Sequence, residues 1–342
     1  QHSSKIVIIL RKQINSIFLG IVWTQLSVSL WAQSLPVGIP LIEEGLRRGQ
    51  LLETVDSLLS FNIRSLDHIE ELQAKEPFFN FGSVLKKSKN EQFNLQLLPI
   101  STQTEYSSKI PYQTNNGLML PLAGLQTNLS AGFYAKLGIL SIQLYPNLFH
   151  GLNQETGGYS NINKVDWGQS QIAVSYKAFV LSISNQNMWW GPSKNNALIM
   201  SNNAAGFKHI SFKSSRPVNI FIGHLEWELI GGILENSLYT SHYPYQGYTS
   251  IPFSGPANQD LRYMNGISIS YQPKWVPGLF LGINRGAQMY KQTANDFNEF
   301  LPVFGDLFRG GDEDVGTDGQ ISVTARYMMP EAWAELYFEY GR

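Results

Sequence analysis

From Phe93 onward the chain alternates apolar and small polar residues with a period of two, and a run of such segments folds as an antiparallel sheet. Leu125, Thr127, Leu129, Ala131, Phe133, Ala135 and Leu137 fall on one face, with Gln126, Asn128, Ser130, Gly132, Tyr134 and Lys136 on the other. After a turn at Gly138, Leu140, Ile142 and Leu144 oppose Ser141, Gln143 and Tyr145. The design recurs at Ile172, Val174 and Tyr176, at Phe179, Leu181 and Ile183, at Leu225, Trp227 and Leu229, and at Ile267, Ile269 and Tyr271. It returns at Ile321, Val323, Ala325 and Tyr327, and at Leu336, Phe338 and Tyr340, giving roughly a dozen strands.

Two environments produce this pattern: a soluble sandwich with its polar side in water, or a transmembrane barrel with its polar side facing a lumen. Connection lengths favour the barrel. Short turns at Gly138, at Lys177-Ala178 and at 328–332 alternate with long polar connections at 150–168, 236–261 and 288–318, as in barrels with short periplasmic turns and long external loops. Tyr145, Trp167, Trp275 and Trp333 near strand ends fit interfacial aromatic girdles. Charged residues are 15% of the 342, below a soluble domain's usual share, and aromatic residues are 13%. A mean hydropathy of -0.15 excludes a polytopic helical membrane protein. The net charge of -1 gives no reason to expect nucleic acid as a partner.

The segments before the barrel read differently. Lys5, Arg11 and Lys12 precede an apolar stretch over 14–30, predicting a secretory signal at 1–32, with a single membrane anchor as the alternative. Residues 33–90 form a periplasmic helical or irregular segment, and 91–342 the barrel. Pro40 suits a first helical position and Glu43 and Glu44 sit near the dipole. Leu41, Leu46, Leu52, Val55 and Leu59 share a face of this short plug element. A second helix is expected within 57–73, and 86–91 reads as a charged, solvated connector. The last strand ends near Gly341 without a terminal aromatic residue, so the barrel is expected to be incomplete.

Cysteine is absent, which removes disulfides and thiolate chemistry together. The six histidines show no metal spacing, and no nucleophile elbow is present, so neither a metal nor another cofactor is expected. The acid-rich loop at 310–319 lacks the spacing of a calcium loop and reads as solvated. The densest group of informative residues lies at 187–209. Trp189 and Trp190 are followed by a turn at Gly191-Pro192 and by the polar cluster Ser201, Asn202 and Asn203. Flat rings beside amides suit a pyranose, the rings covering its apolar face and the amides meeting its hydroxyls. The plainer alternative is an aromatic anchor with turn chemistry, locking a loop folded into the barrel. Glu226, Glu228, Arg285, Arg326, Glu335 and Glu339 are assigned to the polar faces of their strands, pairing with one another or lining a path for a ligand.

These residues also carry a resemblance. Trp-Trp-Gly-Pro at 189–192, Ala-Leu-Ile-Met-Ser-Asn-Asn-Ala at 197–204 and Gly-Phe-Lys-His at 206–209 resemble the capsule assembly Wzi family as found in Bacteroidetes. Similar segments are Ser-Leu-Pro-Val-Gly-Ile-Pro at 34–40, Ser-Ala-Gly-Phe-Tyr-Ala at 130–135, Leu-Ser-Ile-Gln at 140–143, Gln-Pro-Lys-Trp-Val-Pro-Gly-Leu-Phe-Leu-Gly at 272–282 and Glu-Leu-Tyr-Phe-Glu-Tyr-Gly-Arg at 335–342. Ser193 departs from the pattern, where a second Gly is common. The resemblance implies an outer-membrane barrel of about eighteen strands, some six more than are read here, closed below by a helical element and above by folded loops. It implies a non-enzymatic monomer that attaches capsular or other surface polysaccharide and contacts outer-membrane lipid. A porin-like or export channel and an outer-membrane hydrolase are the competing functions.

Overall fold

The computed structural model describes residues 34–35, 40–54, 58–64, 66–67, 84–87, 93–108, 116–120, 123–152, 162–234, 261–290 and 317–342. The expected signal, the loop at 310–316 and most of the connections at 236–261 and 288–318 lie outside them. The elements in order are β1 (Ser34–Leu35), α1 (Pro40–Leu51), β2 (Ile63–Arg64), β3 (Leu66–Asp67), β4 (Val84–Lys87), β5 (Phe93–Ser107), β6 (Gly124–Leu137), β7 (Leu140–Leu144), β8 (Asn147–Gly151) and β9 (Ile162–Asp166). There follow β10 (Gln171–Tyr176), β11 (Phe179–Ser184), β12 (Trp189–Trp190), β13 (Lys208–Ser214), β14 (Val218–Ile220), β15 (Gly223–Leu234), β16 (Arg262–Pro273), β17 (Leu279–Tyr290), β18 (Thr317–Met329) and β19 (Ala334–Gly341).

One 15-stranded sheet carries the fold, its main path running β19-β18-β17-β16-β15-β13-β11-β10-β7-β6-β5-β4. Every pairing along that path is antiparallel, and among the described residues β4 and β19 do not pair with each other. Several wall strands are interrupted. β7 and β8 both pair with β6 on either side of Tyr145-Pro146, and β13 and β14 both pair with β15 across Ser215-Arg216-Pro217. Proline has no ladder donor, which explains why each break sits where it does. The connection expected over 150–168 is partly strand, because β8 and β9 pair through Asn147↔Asp166 and Gly151↔Ile162.

Burial follows the alternation with the usual polarity reversed. Ile172, Leu181, Ile183 and Ile210 are exposed, while Ser182, Ser184, Gln143, Ser211, Ser268 and Ser322 are buried. A sheet with its aliphatic face outward and its hydroxyls and amides inward is built for a solvent that is itself apolar. Trp167, Trp275 and Trp333 project outward as expected, but Tyr145 is only 4% exposed and faces inward, since it continues the parity of Ser141 and Gln143. No helix among the described residues is long and apolar enough to cross a membrane, which says nothing of strands.

The N-terminal segment occupies the concave side. α1 begins at Pro40 as expected, with Glu43 in its first turn and Arg48 in its last. Its inward face is Leu46, Arg47 and Gln50, whereas Leu52 lies beyond the last turn and is exposed. The second helix expected within 57–73 does not form in the described part. Ile63–Arg64 is instead extended and pairs with Trp189–Trp190, and Leu66–Asp67 pairs with Ser34–Leu35. A strand partner more than a hundred residues away overrides local helical preference. Lys86 and Lys87, expected in a connector, belong to β4 and pair with Leu95 and Asn94.

Candidate functional site

After Ser184 the chain leaves the wall, runs through the interior, and rejoins it at Lys208. Trp189 and Trp190 anchor this in-folded segment. The Trp190 ring has 0% exposure, its Nε1–H donates to a Glu228 carboxylate oxygen at 2.8 Å, and its backbone N–H donates to the Met200 carbonyl. Met188, Met200 and Ile230 pack with it. A side chain on Gly266 would meet the Trp190 ring at 2.7 Å, so the facing wall strand must be bare there. Trp189 lies beneath the Arg64 guanidinium, 4.8 Å from the ring centroid. The Gly191 φ of 148° suits glycine, and a Cβ there would come within 2.9 Å of Glu339.

A cationic knot ties this segment to α1 and β2. Arg64 donates to Glu43 at 2.6 Å, to the Gly191 carbonyl at 3.0 Å, and to the Ser193 carbonyl. Arg47 donates to Glu335 at 3.0 Å and to the Pro192 carbonyl. Arg326, 1% exposed, donates to Glu335 at 2.7 Å and to Gln50 at 2.9 Å. Phe61 lies between Arg47 and Arg326, with guanidinium carbons 5.1 and 5.2 Å from its centroid. Burial pulls Arg64 down to about 10, opposed by the Glu43 charge that raises it. At neutral pH it is a cation. Nearer the surface, Lys194 pairs with Glu44 at 2.8 Å, and that hydrogen bond, helped by Arg48, holds Glu44 below the ordinary glutamate value against the opposing effect of burial.

The inward carboxylates are each engaged. Glu226 accepts the Ser60 N–H at 3.1 Å, Glu228 accepts Trp190 and the Ser211 hydroxyl, and Glu339 accepts the Ser322 hydroxyl at 3.0 Å and the Leu198 N–H at 3.3 Å. Arg285 does not join them. Its cross-strand partners are Ile267 and Ile321, which belong to the outward apolar face, and directly paired residues share a face. Its neighbour Asn284 takes the inward place, bonded to Asn62, Ser268 and Ser322.

Ser201, Asn202 and Asn203 face different surroundings. Asn202 accepts from the Asn187 side chain, donates to the Asn116 side chain, and through its carbonyl accepts the Gly117 N–H at 2.7 Å. The Ser201 hydroxyl accepts the Asn203 N–H at 3.3 Å, and Asn203 is exposed. Around Asn202 lies a cavity of about 90 Å³ whose far wall includes Gln103, Asn128, Asn147 and Gln169. Sequence reading singled out neither those amides nor Arg47, Arg64 and Phe61. The partners that bury Arg47 and Arg64, Glu335 and the carbonyls of residues 191–193, lie far along the sequence, so no local pattern marks the arginines. No group of three or more metal-ligating side chains occurs among the described residues.

Comparison with known proteins adds the family. The sequence profile described as capsule assembly protein Wzi matches residues 75–341. No curated protein matches the chain. A solved structure described as Wzi, an outer membrane protein involved in group 1 capsule assembly in Escherichia coli and a carbohydrate-binding beta-barrel, is similar with a TM-score of 0.55 at 13% identity. The likeness covers 91% of this chain and 63% of that one, so the chain spans less than two thirds of that protein's length.

Proposed function

The chain belongs to the Wzi capsule assembly family, and from that premise we propose that it is a non-enzymatic outer-membrane barrel that attaches or organises capsular polysaccharide at the cell surface. The observation that carries the reading is the filled interior. α1, β2 and the in-folded segment meet across it, joined by Arg47, Arg64 and Trp190 to Glu335, Glu43 and Glu228. A built-up interior of this kind fixes the surface above it rather than opening a conduit. Glu228, Glu335 and Glu339 are bonded through both carboxylate oxygens, which takes them out of the free pair that general acid–base hydrolysis uses.

In this reading residues 1–32 direct export, and α1 closes the periplasmic end of the interior that β2 enters. The outward aliphatic face meets lipid, and the protein acts as a monomer. Trp189, Trp190, Gly191 and Pro192 lock the in-folded segment, and Asn202 fixes its return beneath the outer loops. The test is deletion of the full-length gene with complementation, followed by separate measurement of cell-bound and released polysaccharide. Loss of the cell-bound fraction with export intact is the expected result. Unchanged retention overturns the proposal.

A further inference from the structure

Between the wall strands β5, β6 and β8 and the in-folded segment lies the cavity noted beside Asn202, and its lining has a consistent chemistry. Seven side-chain amides line it, from Gln103, Asn116, Asn128, Asn147, Gln169, Asn187 and Asn202. Each amide offers an acceptor and two donors at a fixed spacing, which matches adjacent hydroxyls that both donate and accept. Among the described residues, no lysine, arginine or histidine lines it. The one carboxylate among the described lining residues, Asp166, accepts the Gly168 N–H at 2.8 Å and lies 3.5 Å from the Lys164 ammonium, so it too is spoken for. A carboxylated or sulfated ligand would find no counter-charge inside.

The two sides of the cavity are unequal. On the segment side, Asn187, Asn202 and Asn116 bond to one another in a chain. On the wall side, Gln103 donates to Glu105 and Asn147 accepts the Ser130 hydroxyl, whereas the Asn128 Oδ1 atom is buried and has no hydrogen-bond partner. An unpaired buried carbonyl weakens the free protein, and such a group persists where it serves something other than stability. The cavity, of about 90 Å³, is open on one side, so a hydroxylated ring can enter it in part, whereas a passing chain cannot.

Building on the attachment reading, we propose that this cavity is a subsite for one neutral pyranose residue of a surface polysaccharide, with the Asn128 carbonyl accepting a sugar hydroxyl. The wall holds the sugar, and the in-folded segment positions the opposing amides.

The experiment uses the full-length protein in detergent micelles on an array of neutral and uronate-containing bacterial oligosaccharides, with Asn128→Leu and Gln103→Ala beside wild type. Wild type is expected to bind neutral glycans, and Asn128→Leu to bind them about tenfold more weakly while melting at the same or a higher temperature. That opposition of stability and binding is what a merely structural Asn128 does not produce. If Asn128→Leu fails to fold, Gln103→Ala carries the same binding test. Binding that survives both substitutions overturns the subsite and leaves attachment standing. Binding confined to uronate glycans overturns the neutral class. Binding to no glycan removes the attachment reading, and the subsite with it.

Discussion

Trp190→Ala is expected to free the in-folded segment while the barrel wall stands. The ring is fully buried against Met188, Met200 and Ile230, and its N–H caps Glu228. Truncating a buried tryptophan costs about 3–5 kcal/mol in lost contacts and residual cavity. Removing the donor adds about 1–3 kcal/mol for a buried carboxylate, lessened because the Ser211 hydroxyl still reaches Glu228 at 3.2 Å. Adjacent losses do not sum, so about 4 kcal/mol is a reasonable local total, which raises the released population about a thousandfold. The ladder between β15 and β16 does not pass through the ring and survives. Hydrogen exchange in micelles reads the effect directly, with amides of 187–203 losing protection while those of 223–234 and 262–273 keep it. Trp190→Phe retains most of the packing and loses only the donor, so its effect falls well below that of alanine. If the segment stays as protected in Trp190→Ala as in wild type, the ring is not the lock.

Three further outcomes follow from the same contacts. Arg64→Met removes the bonds to Glu43, Gly191 and Ser193 at once and is expected to destabilise the junction by about 3–5 kcal/mol, seen as increased planar-bilayer conductance over a nearly silent wild type; Arg64→Lys does not restore it, because an ammonium lacks the fork. Glu44 is held below the ordinary glutamate value, so the stability it lends is complete above that value and disappears as pH falls through the depressed one; proteolysis near Lys194 should rise in acid, and Glu44→Gln should abolish the pH dependence. Ile183 is 65% exposed on the outward face, so Ile183→Arg is expected to lower unfolding stability in lipid vesicles by about 2–4 kcal/mol if it sits near the midplane, and an unchanged midpoint would contradict lipid contact.

Strand parity was legible because it is local, and Ile183, Ser182, Ile172 and Ser322 all lie on the sides the alternation assigns. Arg285 was misplaced by a different kind of reasoning. Counting by two from Ile283 puts it outward, and only the habit of sending charge inward moved it. The segment at 57–64 could not be read locally, since β2 exists as a strand through its pairing with β12. Arg47 and Arg64 look like ordinary surface charges in a short amphipathic stretch, and their burial depends on partners in residues 191–193 and 335. The amide cavity escaped for the same reason. Its lining comes from several strands and the connections between them, and each amide alone reads as strand polarity or turn chemistry.

The ribbon formed by β2 and β12 also constrains the order of assembly. It joins Ile63 to Trp190 and Arg64 to Trp189, inside a wall whose strands come from both sides of that loop in sequence. A contact of such long sequence separation is slow to form and gains nothing until both partners are presented together. The N-terminal stretch is synthesised first, yet its partner arrives only after β11. It must therefore wait uncommitted while half the wall is laid down, and be enclosed before the later strands seal the space. Supplying residues 40–64 as a separate peptide after insertion should then fail to restore the ribbon, whereas supplying them during insertion should succeed.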